Sequence, residues 1–92
     1  MENNEFEWDD DKATINLQKH GIGFLAALQV FSDPFVHFED DVSQDYGEDR
    51  ILATGVAQGR LMTVAFTERG QRIRIISARK ANADERRTYD RS

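Results

Sequence analysis

The sequence predicts a small α+β domain in the order β-α-α-β-β-β-β-α, an antiparallel sheet with helices packed mainly on one face. Three observations support this fold class. Apolar residues before Pro34 recur every three or four positions, as in helices, and those after it alternate, as in strands. The third is length, because a chain of 92 residues buries one core and not two. We therefore expect a single domain over residues 1–92, with its core between about 5 and 90.

The chain begins with one predicted strand and one predicted helix. Residues 5–8 form the strand. Asp9 or Asp10 is a suitable N-cap for a helix over residues 12–20, since a carboxylate accepts hydrogen bonds from the unpaired amides of a first turn. Gly21 can adopt the left-handed conformation that ends the helix.

A second helix and four strands follow. The helix starts near Phe24 and ends at Ser32-Asp33-Pro34, because proline cannot continue it. Runs rich in Val, Ile, Phe and Thr then predict strands at 35–38, 50–57, 61–67 and 72–77. Gly59 and Gly70 mark hairpin turns, so the last three strands should form an antiparallel meander.

Two polar segments complete the chain. Residues 39–49 hold six acids and no base, which predicts a solvated loop. Asn82 precedes Glu85 by three positions, an Asn-led capping box that predicts a helix from residue 83 to about 91. Tyr89 is the one large apolar side chain of this helix, so packing against the core is not its only expected role.

Charge is strongly segregated along the chain. Residues 1–59 carry three bases against 13 acids, whereas residues 60–92 carry nine bases, eight of them arginine, against four acids. Because the arginine fork matches phosphate oxygens, a nucleic acid is one partner that this pattern favours. The alternative is that the acidic segments neutralise the basic sheet within one fold.

Composition disfavours several function classes. Without cysteine and with two histidines, the chain has no thiol nucleophile and too few ligands for a histidine-rich metal cage. It carries no phosphate-binding glycine loop and no dinucleotide fingerprint, and its aspartate runs lack the spacing of a calcium loop. We therefore expect no metal and no cofactor. The start lacks the features of a signal peptide and no apolar run could span a bilayer, so a cytoplasmic location is expected.

The segment at residues 72–79, which begins with the predicted strand 72–77, carries the most distinctive pattern, Arg-Ile-Arg-Ile-Ile-Ser-Ala-Arg. Alternation places Arg72 and Arg74 with Ile76 on the face that no helix covers. The opposite set, toward the helices, is Ile73, Ile75 and Ser77. Arg79 joins Arg74 only if the strand ends or bulges near Ala78. Two arginines about 6–7 Å apart along a strand suit adjacent phosphates, although alternate arginines also occur on an ordinary solvated sheet face.

Three residues are candidates for proton transfer. Lys19 and His20 end the first helix, where cations complement the helix dipole, but an imidazole can also exchange a proton near neutral pH. Glu68 belongs first to a hairpin turn, yet it leads into the arginine strand, where a carboxylate can act as a base or orient an arginine. His37 is interpreted as a structural strand residue.

The chain contains an ordered set of segments: Phe6-Glu7-Trp8-Asp9, Lys12, Asn16, Lys19-His20-Gly21, Phe24, residues 30–34, Glu48-Asp49-Arg50 with Gly55, residues 67–70, residues 72–81, Glu85-Arg86-Arg87 and Tyr89. This set resembles the BrnT family of toxins from type II toxin–antitoxin systems. The resemblance implies a RelE-like ribonuclease fold and inhibition of growth by RNA cleavage. It also implies a cognate antitoxin with a DNA-binding part; a homodimer or a larger toxin–antitoxin complex is compatible with it.

Metal-independent RNA cleavage must activate a ribose 2′-hydroxyl, stabilise charge on phosphorus and protonate the leaving 5′-oxygen. The candidate catalytic residues are Arg74, Arg79, His20, Lys19 and Glu68. The candidate substrate-binding residues are Arg72, Arg50, Lys80, Tyr89 and Arg86, the tyrosine as a platform for a base. Two other interpretations stay open, a non-catalytic nucleic-acid-binding module and a protein-interaction domain that uses the arginine-rich sheet face.

Overall fold

A computed structural model describes residues 2–42 and 49–91. The elements are β1 (Phe6–Glu7), α1 (Asp10–His20), α2 (Phe24–Ala27), a 3-10 helix (Leu28–Ser32), β2 (His37–Asp40), β3 (Ile51–Ala57), β4 (Arg60–Arg69), β5 (Arg72–Lys80) and α3 (Ala83–Asp90). The predicted order of elements is confirmed, with the second helix tightening into a 3-10 turn. Of the predicted acidic loop, residues 39 and 40 belong to β2 and residues 43–48 lie outside the described residues.

The five strands form one sheet in the order β1-β5-β4-β3-β2. The predicted antiparallel meander of β3, β4 and β5 is confirmed. The prediction of a wholly antiparallel sheet is wrong, because β1 runs parallel to β5, with Phe6 opposite Ile73 and Glu7 opposite Arg74. A two-residue strand has no turn residues or neighbour in sequence that would reveal its direction, so alternation alone could not predict this pairing.

Helices α1 and α2 and the 3-10 helix cover one face of the sheet and enclose the core. The buried apolar side chains there include Trp8, Phe24, Val30, Val64, Phe66 and Ile75. Trp8 meets Phe24 edge to face at 5.9 Å between ring centroids, a favoured aromatic geometry. Ile75 belongs to this cluster and the partly buried Ile73 packs against it, so both face the helices as predicted. Within the described residues, no helix is long and apolar enough to cross a bilayer.

The ends of α1 are fixed by local hydrogen bonds. Asp9 accepts from the amides of Asp11 and Lys12, and Gly21 ends the helix at φ 70°, both as predicted. Asn16, on the inner side of α1, donates to the carbonyl of Ala78 at 2.9 Å and accepts from its amide at 3.0 Å. One side chain therefore replaces a neighbouring strand at this edge of β5 and holds the helix beside it.

A β-bulge in β5 changes which side chains share a face. Ala65 of β4 lies opposite Ser77, and the next residue, Phe66, lies opposite Ile75, so Ile76 is the extra residue. The prediction that Ser77 faces the helices is therefore wrong, because the bulge moves it to the other face. The same bulge brings Arg79 onto the face of Arg74, which meets the condition set by the sequence.

Candidate active site

An open cleft of about 600 Å³ lies on the sheet face opposite α1 and α2, and the N-terminal half of α3 closes one end of it. Its lining residues are His37, Glu39, Asp40, Asp41, Val42, Leu52, Thr63, Ala65, Ser77, Arg79, Asn82, Asp84, Glu85 and Thr88. Helix α3 is positioned by the predicted capping box, in which Asn82 accepts from the amide of Glu85 and Glu85 accepts from the amide of Asn82. This box turns the carboxylate of Glu85 back toward β5.

The centre of the cleft is a bidentate ion pair between Arg79 and Glu85. The two terminal nitrogens of the guanidinium donate to the two carboxylate oxygens at 2.7 and 2.9 Å. Only 6% of the Glu85 side chain is exposed, against 36% of the Arg79 side chain. The pair fixes the plane of the arginine and leaves its Nε edge unengaged by any described residue.

Both partners of this pair stay ionised. Hydrogen bonding to Glu85 raises the pKa of Arg79 above its usual value, in spite of partial burial, and the nearby charges of Glu39 and Asp41 act in the same direction. Burial alone would raise the pKa of Glu85, but hydrogen bonds from Arg79, the Asn82 amide and Thr63 outweigh it and lower that pKa. Arg79 can therefore stabilise negative charge but cannot act as a proton donor.

His37 belongs to this cleft, although the sequence suggested only a structural role. It lies opposite Thr54, which lies opposite Thr63, which in turn lies opposite Arg79. Residues opposite each other point to one face, so the four form a row across the sheet about 14 Å long, three steps of about 4.8 Å. The two threonine hydroxyls share a hydrogen bond of 2.8 Å. Only the strand register places His37 here, and a single sequence does not contain that register.

The remaining arginines of β5 are also neutralised within the fold. Arg74 pairs with Glu7 of β1 at 2.8 Å, and Arg72 pairs with Glu2 at 2.9 Å. The cleft itself carries more described acids than bases. Of the two sequence interpretations of charge segregation, these contacts favour neutralisation of the basic sheet by acids of the same chain.

Lys19 and His20 line a second recess, the groove, which lies between α1 and the bulge of β5. Lys12 and Ile76 line it as well, and the side chains of Lys19 and His20 are exposed at the end of the helix. Ser77 borders both this groove and the cleft of Arg79. The predicted site residues are therefore divided between two neighbouring recesses that meet at one small side chain.

The other predicted residues lie farther away. Glu68 is exposed opposite Ile73, at the far end of β4. Arg50 is half-buried just before β3, and its carbonyl accepts from the amide of Asp41. Lys80 and Arg86 line a third recess beside Arg60.

Tyr89 is held in place by its hydroxyl. It donates to the carboxylate of Asp33 at 2.6 Å, and this bond raises the pKa of the tyrosine. The same carboxylate oxygen accepts from the amide of Val56 at 2.8 Å. The hydroxyl thus fastens α3 to the edge of β3, a function that the sequence did not indicate.

No group of three or more His, Asp or Glu side chains is placed to hold a metal ion among the residues that the structure describes. The acids nearest to the predicted helices have other partners, since Asp9 caps α1 and Asp33 binds Val56 and Tyr89.

Comparison with known proteins assigns the chain to a family. The family model described as "Ribonuclease toxin, BrnT, of type II toxin-antitoxin system" matches residues 8–85. This match spans α1 through the first turn of α3 and includes the groove, the bulge and every lining residue of the cleft except Thr88. No curated protein matches the chain.

Proposed function

The chain belongs to the BrnT family of ribonuclease toxins of type II toxin–antitoxin systems, and from that premise we propose that it cleaves RNA internally, without a metal, where the cleft and the groove meet at Ser77. The observation that supports this position is that Ser77 lines both recesses. A phosphate seated over this side chain has Arg79 on one side and the end of α1, with Lys19 and His20, on the other.

The reaction forms a bond between the ribose 2′-oxygen and phosphorus and breaks the bond from phosphorus to the 5′-oxygen. It leaves a 2′,3′-cyclic phosphate and a 5′-hydroxyl. Arg79 stabilises the charge that accumulates on the phosphate oxygens, and Glu85 fixes the arginine so that little reorganisation is needed as the charge develops. His20 takes the proton of the 2′-hydroxyl, and Lys19 supplies the proton of the leaving oxygen.

Arg74 and Glu68 stand outside this arrangement. Arg74 lies opposite Thr67 of β4, and Arg79 lies opposite Thr63. The two threonines are four residues apart, which is about 13 Å along the strand. The assignment of Arg74 and Glu68 as catalytic residues stays a prediction. The assignment to substrate binding also stays a prediction for Arg72, Arg50, Lys80, Tyr89 and Arg86.

We expect cleavage of cellular RNA in the cytoplasm to arrest growth and a cognate antitoxin to prevent it. A segment that covers the cleft meets Glu39, Asp40, Asp41 and Asp84. Charge complementarity therefore favours a basic or apolar antitoxin segment.

The test is cleavage of purified RNA by antitoxin-free protein, with and without EDTA. The two histidines provide a matched pair of variants, His20→Gln and His37→Gln, which remove the same group from the groove and from the cleft. Loss of a general base should lower kcat by about 10²–10⁴-fold in the first variant, while the second retains most activity.

A larger loss of kcat in His37→Gln than in His20→Gln would assign proton transfer to His37 in the cleft. Equal activity of both variants and the parent would exclude histidine catalysis. Loss of activity in EDTA, restored by Mg²⁺ or Mn²⁺, would refute metal independence.

A further inference from the structure

The recess at the β3–β4 hairpin has a charge opposite to that of the cleft. It measures about 300 Å³, and its lining consists of Gly59, Arg60, Leu61, Lys80 and Arg86. Three of the five residues are cations, and none of the described lining residues is an acid. This recess is separate from the position proposed for cleavage, with which it shares no described lining residue.

These three cations differ from four paired arginines of residues 60–92. Arg72, Arg74, Arg79 and Arg87 each form a salt bridge with a carboxylate. Arg60, Lys80 and Arg86 are exposed and have no salt bridge to a described carboxylate. Arg69 and Arg91 also have no salt bridge to a described carboxylate, but neither of them lines this recess. The fold therefore neutralises one set of cations and leaves the charge of another set available to a ligand.

Three different elements bring the cations together. Arg60 begins β4, Lys80 ends β5, and Lys80 lies opposite Met62. Arg60 is two residues from Met62 on β4. Arg60 and Lys80 are therefore diagonal neighbours that point to the same side of the sheet, with about 7–8 Å between their Cα atoms. The amide of Ala81 donates to the carbonyl of Leu61 at 3.3 Å and holds the two strand ends in contact. Arg86 reaches the recess from the second turn of α3.

We propose that this recess, the hairpin basic patch, binds backbone phosphates of the single-stranded RNA substrate on one side of the cleavage position. The inference rests on the proposed function for its choice of RNA. Continuity supports it, because Lys80 and Arg86 directly follow Arg79 and Glu85 of the cleft in sequence. A backbone passing the end of β5 from the cleft thus reaches three cations without a described acid among them.

The test measures binding to an RNA that cannot be cleaved. A fluorescent, fully 2′-O-methylated oligonucleotide of about 12 nucleotides lacks the attacking hydroxyl, and its affinity is followed by anisotropy between about 50 and 200 mM KCl. Each phosphate contact on a single strand contributes about 0.7 to the slope of log Kd against log salt. The variant Arg86→Ala should lower the slope by about 0.7, and the triple variant with Arg60→Ala and Lys80→Ala should lower it by about 2.

Arg87→Ala is the matched control. It removes the same charge from the same helix, but from an arginine that already pairs with Asp84. We expect it to leave the slope unchanged. For Arg86→Ala, the increase in Kd between about 50 and 200 mM KCl should be smaller than that of the parent by a factor of about 2.6. Melting curves of all variants establish that each is folded.

An unchanged slope in the triple variant, or an equal loss in Arg87→Ala, would overturn the proposal. Inorganic phosphate distinguishes a backbone track from a pocket for one small anion. If a few millimolar phosphate, at ionic strength matched with KCl, removed the difference between parent and triple variant, the proposal would also be wrong. Binding does not depend on cleavage here, so an inactive protein that shows the expected slopes would refute the proposed cleavage and keep the binding of backbone phosphates by the hairpin basic patch.

Discussion

Removal of the cation from the central ion pair should destabilise the protein more than removal of any surface charge. In the variant Arg79→Ala the carboxylate of Glu85, with only 6% of its side chain exposed, loses both bonds of the bidentate pair. The charge cannot move to solvent, because the capping box holds Glu85 in the first turn of α3.

The magnitude follows from what remains around the carboxylate. Loss of one partner from a buried pair typically costs about 3–5 kcal/mol, because an uncompensated charge stays buried. Two donors persist, the amide of Asn82 and the hydroxyl of Thr63, and they offset part of the loss. We therefore expect Arg79→Ala to lower the free energy of unfolding by about 2–3 kcal/mol at pH 7. Glu85→Gln should cost about 1 kcal/mol, since the third-exposed Arg79 can regain water.

The deficit should depend on pH. In the parent protein the pKa of Glu85 lies below its usual value, so its contribution to stability is present above the unfolded pKa of about 4.3 and disappears as pH falls through the folded pKa. Without Arg79, burial raises that pKa, and the folded variant takes up the proton more readily than the parent does. The difference between parent and variant should therefore shrink by about 1–2 kcal/mol between pH 7 and pH 4.

Urea unfolding followed by circular dichroism at the two pH values measures both quantities. Arg87→Ala is the control, because its exposed pair with Asp84 should contribute no more than about 0.5 kcal/mol at either pH. A deficit for Arg79→Ala below about 1 kcal/mol, or one that is equal at pH 7 and pH 4, would refute the account of a buried carboxylate stabilised by this arginine.

Two further predictions concern the framework of the site. Asn82→Ala removes the acceptor of the capping box and should lower the free energy of unfolding by about 0.5–2 kcal/mol, with loss of helix signal; an unchanged melting temperature would count against the cap. Gly55→Ala should cost about 1–3 kcal/mol in urea unfolding, because the added methyl would lie 3.1 Å from a side-chain carbon of Val30 and 3.2 Å from the Asp33 carboxylate. Its control, Gly23→Ala, meets nothing within 4 Å, so an equal loss there would show that space is not the cause.

Local rules explain why most of the elements could be predicted from the sequence. Asp9, Gly21 and the pair Asn82 and Glu85 act within four residues of themselves, and the structure places each cap where the sequence predicted it. The glycine turns and the alternating runs likewise predicted the meander, because a hairpin joins strands that are adjacent in the chain. The direction of β1 could not be inferred in this way, since its partner β5 lies more than 60 residues away.

The site depended on tertiary structure more than the fold did. The sequence by itself determined that the side chains of Arg72 and Arg74 would point away from the helices. It also indicated that Arg79 would share this face only if β5 ended or contained a bulge near Ala78. Strand register decided the position of the bulge at Ile76 and the inclusion of His37 in the cleft. Tertiary contacts decided that Arg74 pairs with Glu7, 67 residues away in the sequence, and that Arg79 pairs with Glu85, six residues away across the start of α3. The physical reason is that side-chain charge is encoded residue by residue, whereas its neutralisation depends on which carboxylate the fold brings within about 3 Å.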